Sequence, residues 1–129
     1  MLWWIFQSFN FQFPYQIVSI GSQGLNDFLS DWAESDMPDQ PIWIGGKRRP
    51  YWVNIMWGIT DGGEWDWADG TPWSSSSYTN WGTGYPNNYQ GTQDCVYMGG
   101  PNAAGGYWDD GNCEAELGFF CSAIPGNAK

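Results

Sequence analysis

Apolar and polar positions follow two different periods along this chain. Between Ser22 and Glu34 the apolar residues Leu25, Phe28, Leu29 and Trp32 fall at i, i+3, i+4 and i+7, the spacing of one helical stripe. Ser22 is a suitable N-cap, Asp27 and Asp31 lie on the opposite, solvated face, and Gly24 weakens the first turn by about 1 kcal/mol relative to Ala. Pro38 and Pro41 rule out continuation of the helix. Elsewhere the apolar runs are short, which predicts strands. Ile17-Val18-Ser19-Ile20 reads as a buried extended segment, and Ile42-Trp43-Ile44-Gly45 and Tyr51–Ile59 are strand candidates. Glu64-Trp65-Asp66-Trp67 alternates as a half-exposed strand. Turn signals separate these runs at Asp61-Gly62-Gly63 and Ala68-Asp69-Gly70, and Ser74–Ser77 is a low-complexity stretch in a long loop. Lys47-Arg48-Arg49, between the two strand candidates, reads as a solvated hairpin tip.

Candidate chemistry gathers between Trp81 and Cys121. A polar loop, Tyr85-Pro86-Asn87-Asn88, runs into an apolar segment that begins at Cys95. A glycine-rich loop follows, then Trp108-Asp109-Asp110, Cys113 and a last apolar segment ending at Cys121. Side-chain oxygens of Asn, Gln and Asp on loops beside short strands suit a binding site better than a catalytic centre.

Composition narrows the classes. The 129 residues make one domain, and 19% aromatic residues with 11 Trp and 18 Gly favour strands, turns and flat aromatic contacts. Four basic against 14 acidic residues give a net charge of −10, which excludes nucleic acid and anionic membrane surfaces as natural partners and favours cations. The absence of His removes the commonest general base and the usual zinc ligand. Three Cys without Cys-x-x-Cys spacing leave two readings, a disulfide with an odd thiol or three buried thiols in a cytosolic protein. So loop-rich a chain would gain much from a staple, which places the disulfide reading first. Neighbouring carboxylates (Glu64 and Asp66, Asp109 and Asp110) do not by adjacency converge on one bond, so a glycosidase is set aside and the chain is read as non-enzymatic.

Residues 1–20 carry no charge, but Gln7, Ser8, Asn10, Gln12, Pro14 and Gln16, with no basic start and no small-residue cleavage site, argue against a signal peptide or anchor. Residues 1–13 are therefore taken as an irregular segment that forms a strand or is foreign to the domain. No membrane insertion is expected of the domain itself.

The order of motifs resembles the C-type lectin-like domain. Its outline is matched by Trp43-Ile44-Gly45, Trp67-Ala68-Asp69-Gly70, Asn80-Trp81, Tyr85-Pro86-Asn87, Asp94-Cys95-Val96, Trp108-Asp109-Asp110, Cys113 and Cys121. The resemblance covers residues 14–124, leaving 125–129 as a tail. It implies an α+β fold of small antiparallel sheets, a flanking helix and a long loop region bearing the site. It also implies a Cys95–Cys113 bridge. In the family the last cysteine, here Cys121, pairs with one on an earlier helix, yet no cysteine precedes Cys95. Met56-Trp57-Gly58-Ile59 offers a second W-I-G-like segment, so residues 46–57 read as an insertion and two segments compete for one place in the sheet.

Lectins of this family hold Ca²⁺ with the loop tripeptide and the W-N-D pair, and the ion takes two neighbouring sugar hydroxyls. Six to eight oxygens are needed at about 2.3–2.6 Å. The resemblance nominates Asn87, Gln93, Asp109 and Asp110 as metal ligands, with the Asp110 carbonyl a further one, and Tyr85, Asn87, Asp109 and Tyr89 as ligand-binding residues. Pro86 matches a cis-proline. Tyr85 and Gln93 stand where carboxylate or amide ligands are usual, and Asp109 stands for an Asn. The depleted set implies affinity of about 10⁻⁴–10⁻³ M, or a calcium-free scaffold. Trp73, Tyr78, Tyr85 and Tyr89 flank the loops. Exposed, they would stack on a sugar or anchor a protein, and for any single one burial is the simpler reading. The implied function is a secreted, extracellular carbohydrate-binding module. The alternative is a calcium-independent protein-recognition domain on the same fold.

Overall fold

The computed structural model of the chain describes residues 2–4, 15–50, 56 and 64–123. In chain order the elements are β1 (Leu2–Trp4), β2 (Tyr15–Ile17), helix α1 (Gln23–Asp36), β3 (Pro41–Arg48), β4 (Trp65–Trp67), β5 (Cys95–Gly99), β6 (Trp108–Gly111) and β7 (Gly118–Ala123). The strands join one sheet along the path β1-β7-β3-β5-β6, with β2 also on β7 and β4 also on β3. Pairing is antiparallel except between β3 and β7, which run parallel through Ile42↔Gly118 and Trp43↔Phe119. Leu2–Trp4 pairs with Phe119–Cys121, so this part of the N-terminal segment takes the strand reading. Among the described residues no helix is long and apolar enough to cross a membrane.

Trp43-Ile44-Gly45 occupies the centre of the sheet, between β5 and β7. Of the strand candidate Tyr51–Ile59, which contains the competing Met56-Trp57-Gly58-Ile59, only Met56 is described, exposed at 72%, and the turn at 61–63 lies outside the described residues. Two glycines suit the central strand because its backbone passes close to its neighbours. A Cβ on Gly45 would sit 2.9 Å from the Val18 carbonyl oxygen, and one on Gly46 would sit 2.6 Å from Val96 Cγ2. Register between β3 and β5 then shifts between Ile44 and Lys47. That shift carries the chain into a different environment from the expected hairpin tip. Only Lys47 of the basic triplet is exposed, whereas Arg48 ends β3 and Arg49 is 8% exposed. Arg49 Nη2 lies 2.7 Å from Asp66 Oδ1, and the Arg48 guanidinium carbon is 4.4 Å from the Trp65 ring centroid. Carboxylates and an aromatic face draw both arginines inward.

The helix begins as expected, with Ser22 Oγ accepting from Leu25 N–H at 3.2 Å. Its buried face is rotated from the expected stripe. Asn26, Leu29 and Ala33 are buried, whereas Phe28 is 56% exposed. Asn26 can face inward because its amide is bonded at both ends. Its Oδ1 accepts from Trp108 Nε1–H at 2.7 Å and its Nδ2 donates to the Gly106 carbonyl at 3.0 Å.

Tryptophan builds the main core. Trp67 and Trp73 stack with centroids 4.3 Å apart, Trp65 and Trp81 tilt together at 5.2 Å, and Trp108 meets Trp67, Trp73 and Trp81 edge-on. Val18, Ile20, Leu29, Ala33, Ile42, Ile44, Val96, Met98 and Phe120 complete this cluster, and a second one holds Ile17, Trp43, Phe119 and Cys121.

Candidate functional site

Strands β5 and β6 run antiparallel with Val96 opposite Asp110 and Tyr97 opposite Asp109. Cys95 at the start of β5 is bonded to Cys113, 18 residues on, with Cα atoms 5.1 Å apart. Cys121 is buried in the second core cluster, and burial pushes its thiol above the ordinary value.

Residues 85–93 form a loop held mainly by its own side chains. The Tyr85–Pro86 peptide is cis. Asn87 N–H donates to Asp110 Oδ1 at 3.0 Å and Asn88 N–H to Asp110 Oδ2 at 2.6 Å. Tyr89 N–H donates to Asn87 Oδ1 at 3.2 Å and to Gln93 Oε1 at 2.9 Å, while Gln93 N–H donates to Asn88 Oδ1 at 3.0 Å. Asn88 adopts φ 46°, a left-handed conformation that Asn tolerates better than most residues. The amide side chains are therefore the loop's internal cross-links.

Asp110, fully buried, is the point on which this loop is fastened. Its charge is met by Arg48, whose Nη2 lies 3.2 Å from Oδ2. The same guanidinium reaches Glu64 Oε2 through Nη1 at 3.2 Å and the Gln93 carbonyl through Nη2 at 3.1 Å. Its Nε is 3.3 Å from Asp94 Oδ1, at ion-pair distance without hydrogen-bond alignment. Sequence reasoning missed Arg48 altogether. The available signal was electrostatic: in a chain of net charge −10 with four basic residues, a basic triplet is the natural counter-charge for buried carboxylates.

Asp109 is 3% exposed, so it is not a surface contact residue. Tyr97 Oη donates to its Oδ2, and its Oδ1 is buried without a hydrogen-bond partner among the described residues. Burial, opposed by the Tyr97 bond and reinforced by the neighbouring Asp110 carboxylate, pushes the Asp109 carboxyl up to about 6. Burial, with Asp109 beside it, likewise raises the Tyr97 phenol above its ordinary value.

The structure thus brings Asn87, Gln93 and Asp110 into one hydrogen-bonded unit with Asp109 beside them, but their oxygens do not suit a calcium ion. Asn87 Oδ1 and Gln93 Oε1 accept from Tyr89 N–H, both Asp110 oxygens accept from loop N–H groups with Arg48 on one, and Asp109 Oδ2 accepts from Tyr97. Among the side-chain oxygens of these four residues, Asp109 Oδ1 alone accepts no hydrogen bond from a described residue, against the six to eight oxygens the ion takes. Among the described residues no three His, Cys, Asp or Glu side chains are placed to hold a metal.

At the rim, Tyr89 is 63% exposed, Asn87 is exposed and Tyr85 is half-buried. Tyr85 lies against Gly82, where an added Cβ would sit 3.1 Å from Tyr85 Cδ2 and 3.7 Å from Tyr107 Cβ. Trp73 is buried in the tryptophan cluster and Tyr78 packs half-buried against it.

Over residues 15–123 the chain matches the model of the lectin C-type domain. Human Proteoglycan 3 is 35% identical over 108 residues, which are 82% of this chain and 40% of that protein, so the chain spans well under half of this relative. The C-type lectin CEL-I from Cucumaria echinata superposes with a TM-score of 0.64 at 22% identity, over 83% of this chain and 66% of that one. The cow C-type carbohydrate-recognition domain of CD23, solved in the presence of GlcNAc2Man3 oligosaccharide, has a TM-score of 0.57 at 29% identity, over 83% and 67%.

Proposed function

This chain belongs to the lectin C-type domain family, and we propose that it is a secreted carbohydrate-binding module whose sugar site is the rim of loop 85–93. The observation that carries this reading is the division of labour within the loop. Its backbone is fastened to Asp110, while Tyr89 and Asn87 are left exposed at the rim. A tyrosine ring packs on the C–H face of a pyranose, and an amide N–H donates to its hydroxyls. Asn87 Oδ1 is used within the loop, so its Nδ2 is the group offered to the ligand. Glu64 and Asp94 are exposed beside the loop and would repel sulfated or carboxylated sugars, which makes neutral glycans the ligand class. The cow CD23 domain in the presence of its oligosaccharide supports the class of ligand. The Cys95–Cys113 bridge supports an extracellular setting, where disulfides persist.

The test is a glycan array with the wild-type chain and Tyr89→Ala. Binding to neutral glycans, weakened about tenfold by the substitution, is expected. Absence of glycan binding, or binding indifferent to Tyr89, would refute the assignment.

A second reading, a protein-recognition domain on the same fold, is favoured by Tyr107, which is 49% exposed beside Tyr85. Together with Tyr89 these are side chains of the type that anchor protein interfaces. Binding to a partner that survives enzymatic removal of its glycans selects this reading.

A further inference from the structure

We propose that Arg48 is the resident cation of this site, and that loop 85–93 is organised by its guanidinium in place of a divalent ion. Four oxygens surround the group: Glu64 Oε2 at 3.2 Å, Asp94 Oδ1 at 3.3 Å, Asp110 Oδ2 at 3.2 Å and the Gln93 carbonyl at 3.1 Å. Three of these are carboxylates and the fourth is a main-chain carbonyl, the kinds of oxygen a calcium ion would recruit. Both terminal guanidinium nitrogens are hydrogen-bonded, Nε lies at ion-pair distance from Asp94, and the group also lies over Trp65 at 4.4 Å. The backbone sets this position. After the register shift in β3, Arg48 N–H donates to the Asp94 carbonyl at 2.8 Å, which places the side chain beside Gln93, Asp94 and Asp110.

Two physical consequences follow. A fully buried Asp110 carboxylate needs a compensating charge, and Arg48 provides it at the oxygen that also accepts Asn88 N–H. A divalent ion brought to the same oxygens would meet a fixed positive charge at close range and would have to displace it. The loop's shape is therefore independent of calcium. This inference concerns the loop of the proposed sugar site but does not require a sugar, and it is read without one.

The experiment has two parts on the full chain. Calorimetric titration with CaCl₂ to about 10 mM, above the weak extracellular range, is paired with thermal unfolding in CaCl₂ and in EDTA. No binding heat and coincident unfolding curves are expected. Hydrogen exchange at the Asn87 and Asn88 amides is then followed in Arg48→Gln, where it should accelerate about tenfold while the β5–β6 amides hold. Arg48→Lys keeps the charge but loses the planar fork, and gives a smaller acceleration if Arg48→Gln does not fold. A melting temperature raised by calcium and lowered again by EDTA overturns the proposal, as does unchanged amide exchange in the variants. A chain that ignores calcium and also binds no glycan would lose the sugar assignment and keep this one.

Discussion

Trp108 Nε1–H donates to Asn26 Oδ1 across 2.7 Å, which ties the first turn of the helix to the strand that carries the paired aspartates. Asn26 passes the connection on, since its Nδ2 donates to the Gly106 carbonyl, an oxygen that Asn80 Nδ2 also reaches at 2.8 Å. Trp108 in turn bonds the loop segment on its other side, with Trp108 N–H donating to the Asn80 carbonyl and Gly82 N–H to the Trp108 carbonyl. One buried amide and one indole thus join helix, sheet and loop region.

Asn26→Ala removes both side-chain bonds and leaves a buried indole N–H unpaired. The expected loss of stability is about 2–4 kcal/mol. Urea unfolding followed by tryptophan fluorescence measures it, and an unchanged midpoint would show that the amide is not a structural link.

Asp109 makes stability depend on pH in an unusual direction for a carboxylate. Its folded value of about 6 lies above the ordinary 3.8, so its contribution is fully present below 3.8 and is lost as pH rises through 6. Ionisation at neutral pH opposes folding. Asp109→Asn, in which Tyr97 Oη still has an oxygen to donate to, should stabilise the chain by about 1–2 kcal/mol near pH 7 and by almost nothing near pH 4. Urea midpoints of both proteins across that range should converge on the acid side. Parallel curves would refute the raised value.

The Cys95–Cys113 bridge closes a loop with a sequence separation of 18 that contains the glycine-rich turn and the paired aspartates. Loop-closure entropy puts its contribution at about 3 kcal/mol. Replacing both cysteines with serine should lower the unfolding midpoint accordingly, with the wild-type chain under reductant behaving alike. A double variant as stable as the oxidised wild type would mean the platform does not depend on its staple.

Part of the molecule was legible because the relevant signals are local. The Ser22 cap, the short apolar run from Ile42 to Gly45 and the alternation of Trp65-Asp66-Trp67 each act within a few residues, and each appears where expected. The matches at the cis Tyr85–Pro86 peptide and the Cys95–Cys113 pair came from the family resemblance. Other readings failed where a side chain's partner lies far along the chain. Phe28 was placed in the core by helical spacing, but an amide bonded to an indole 82 residues away took the inward face. Lys47-Arg48-Arg49 read as solvated until Arg48 met Asp110, 62 residues on.

By itself, then, the sequence determined the family, the helix start, the strands that flank the site and the loop that borders it. Only the tertiary structure decided that the oxygens of Asn87, Gln93 and Asp110 are spent on backbone N–H groups and an arginine, and that Asp109 is buried beside Tyr97. The reason is that a residue's type states which bonds it is able to make, whereas burial and strand register choose the partner that makes them.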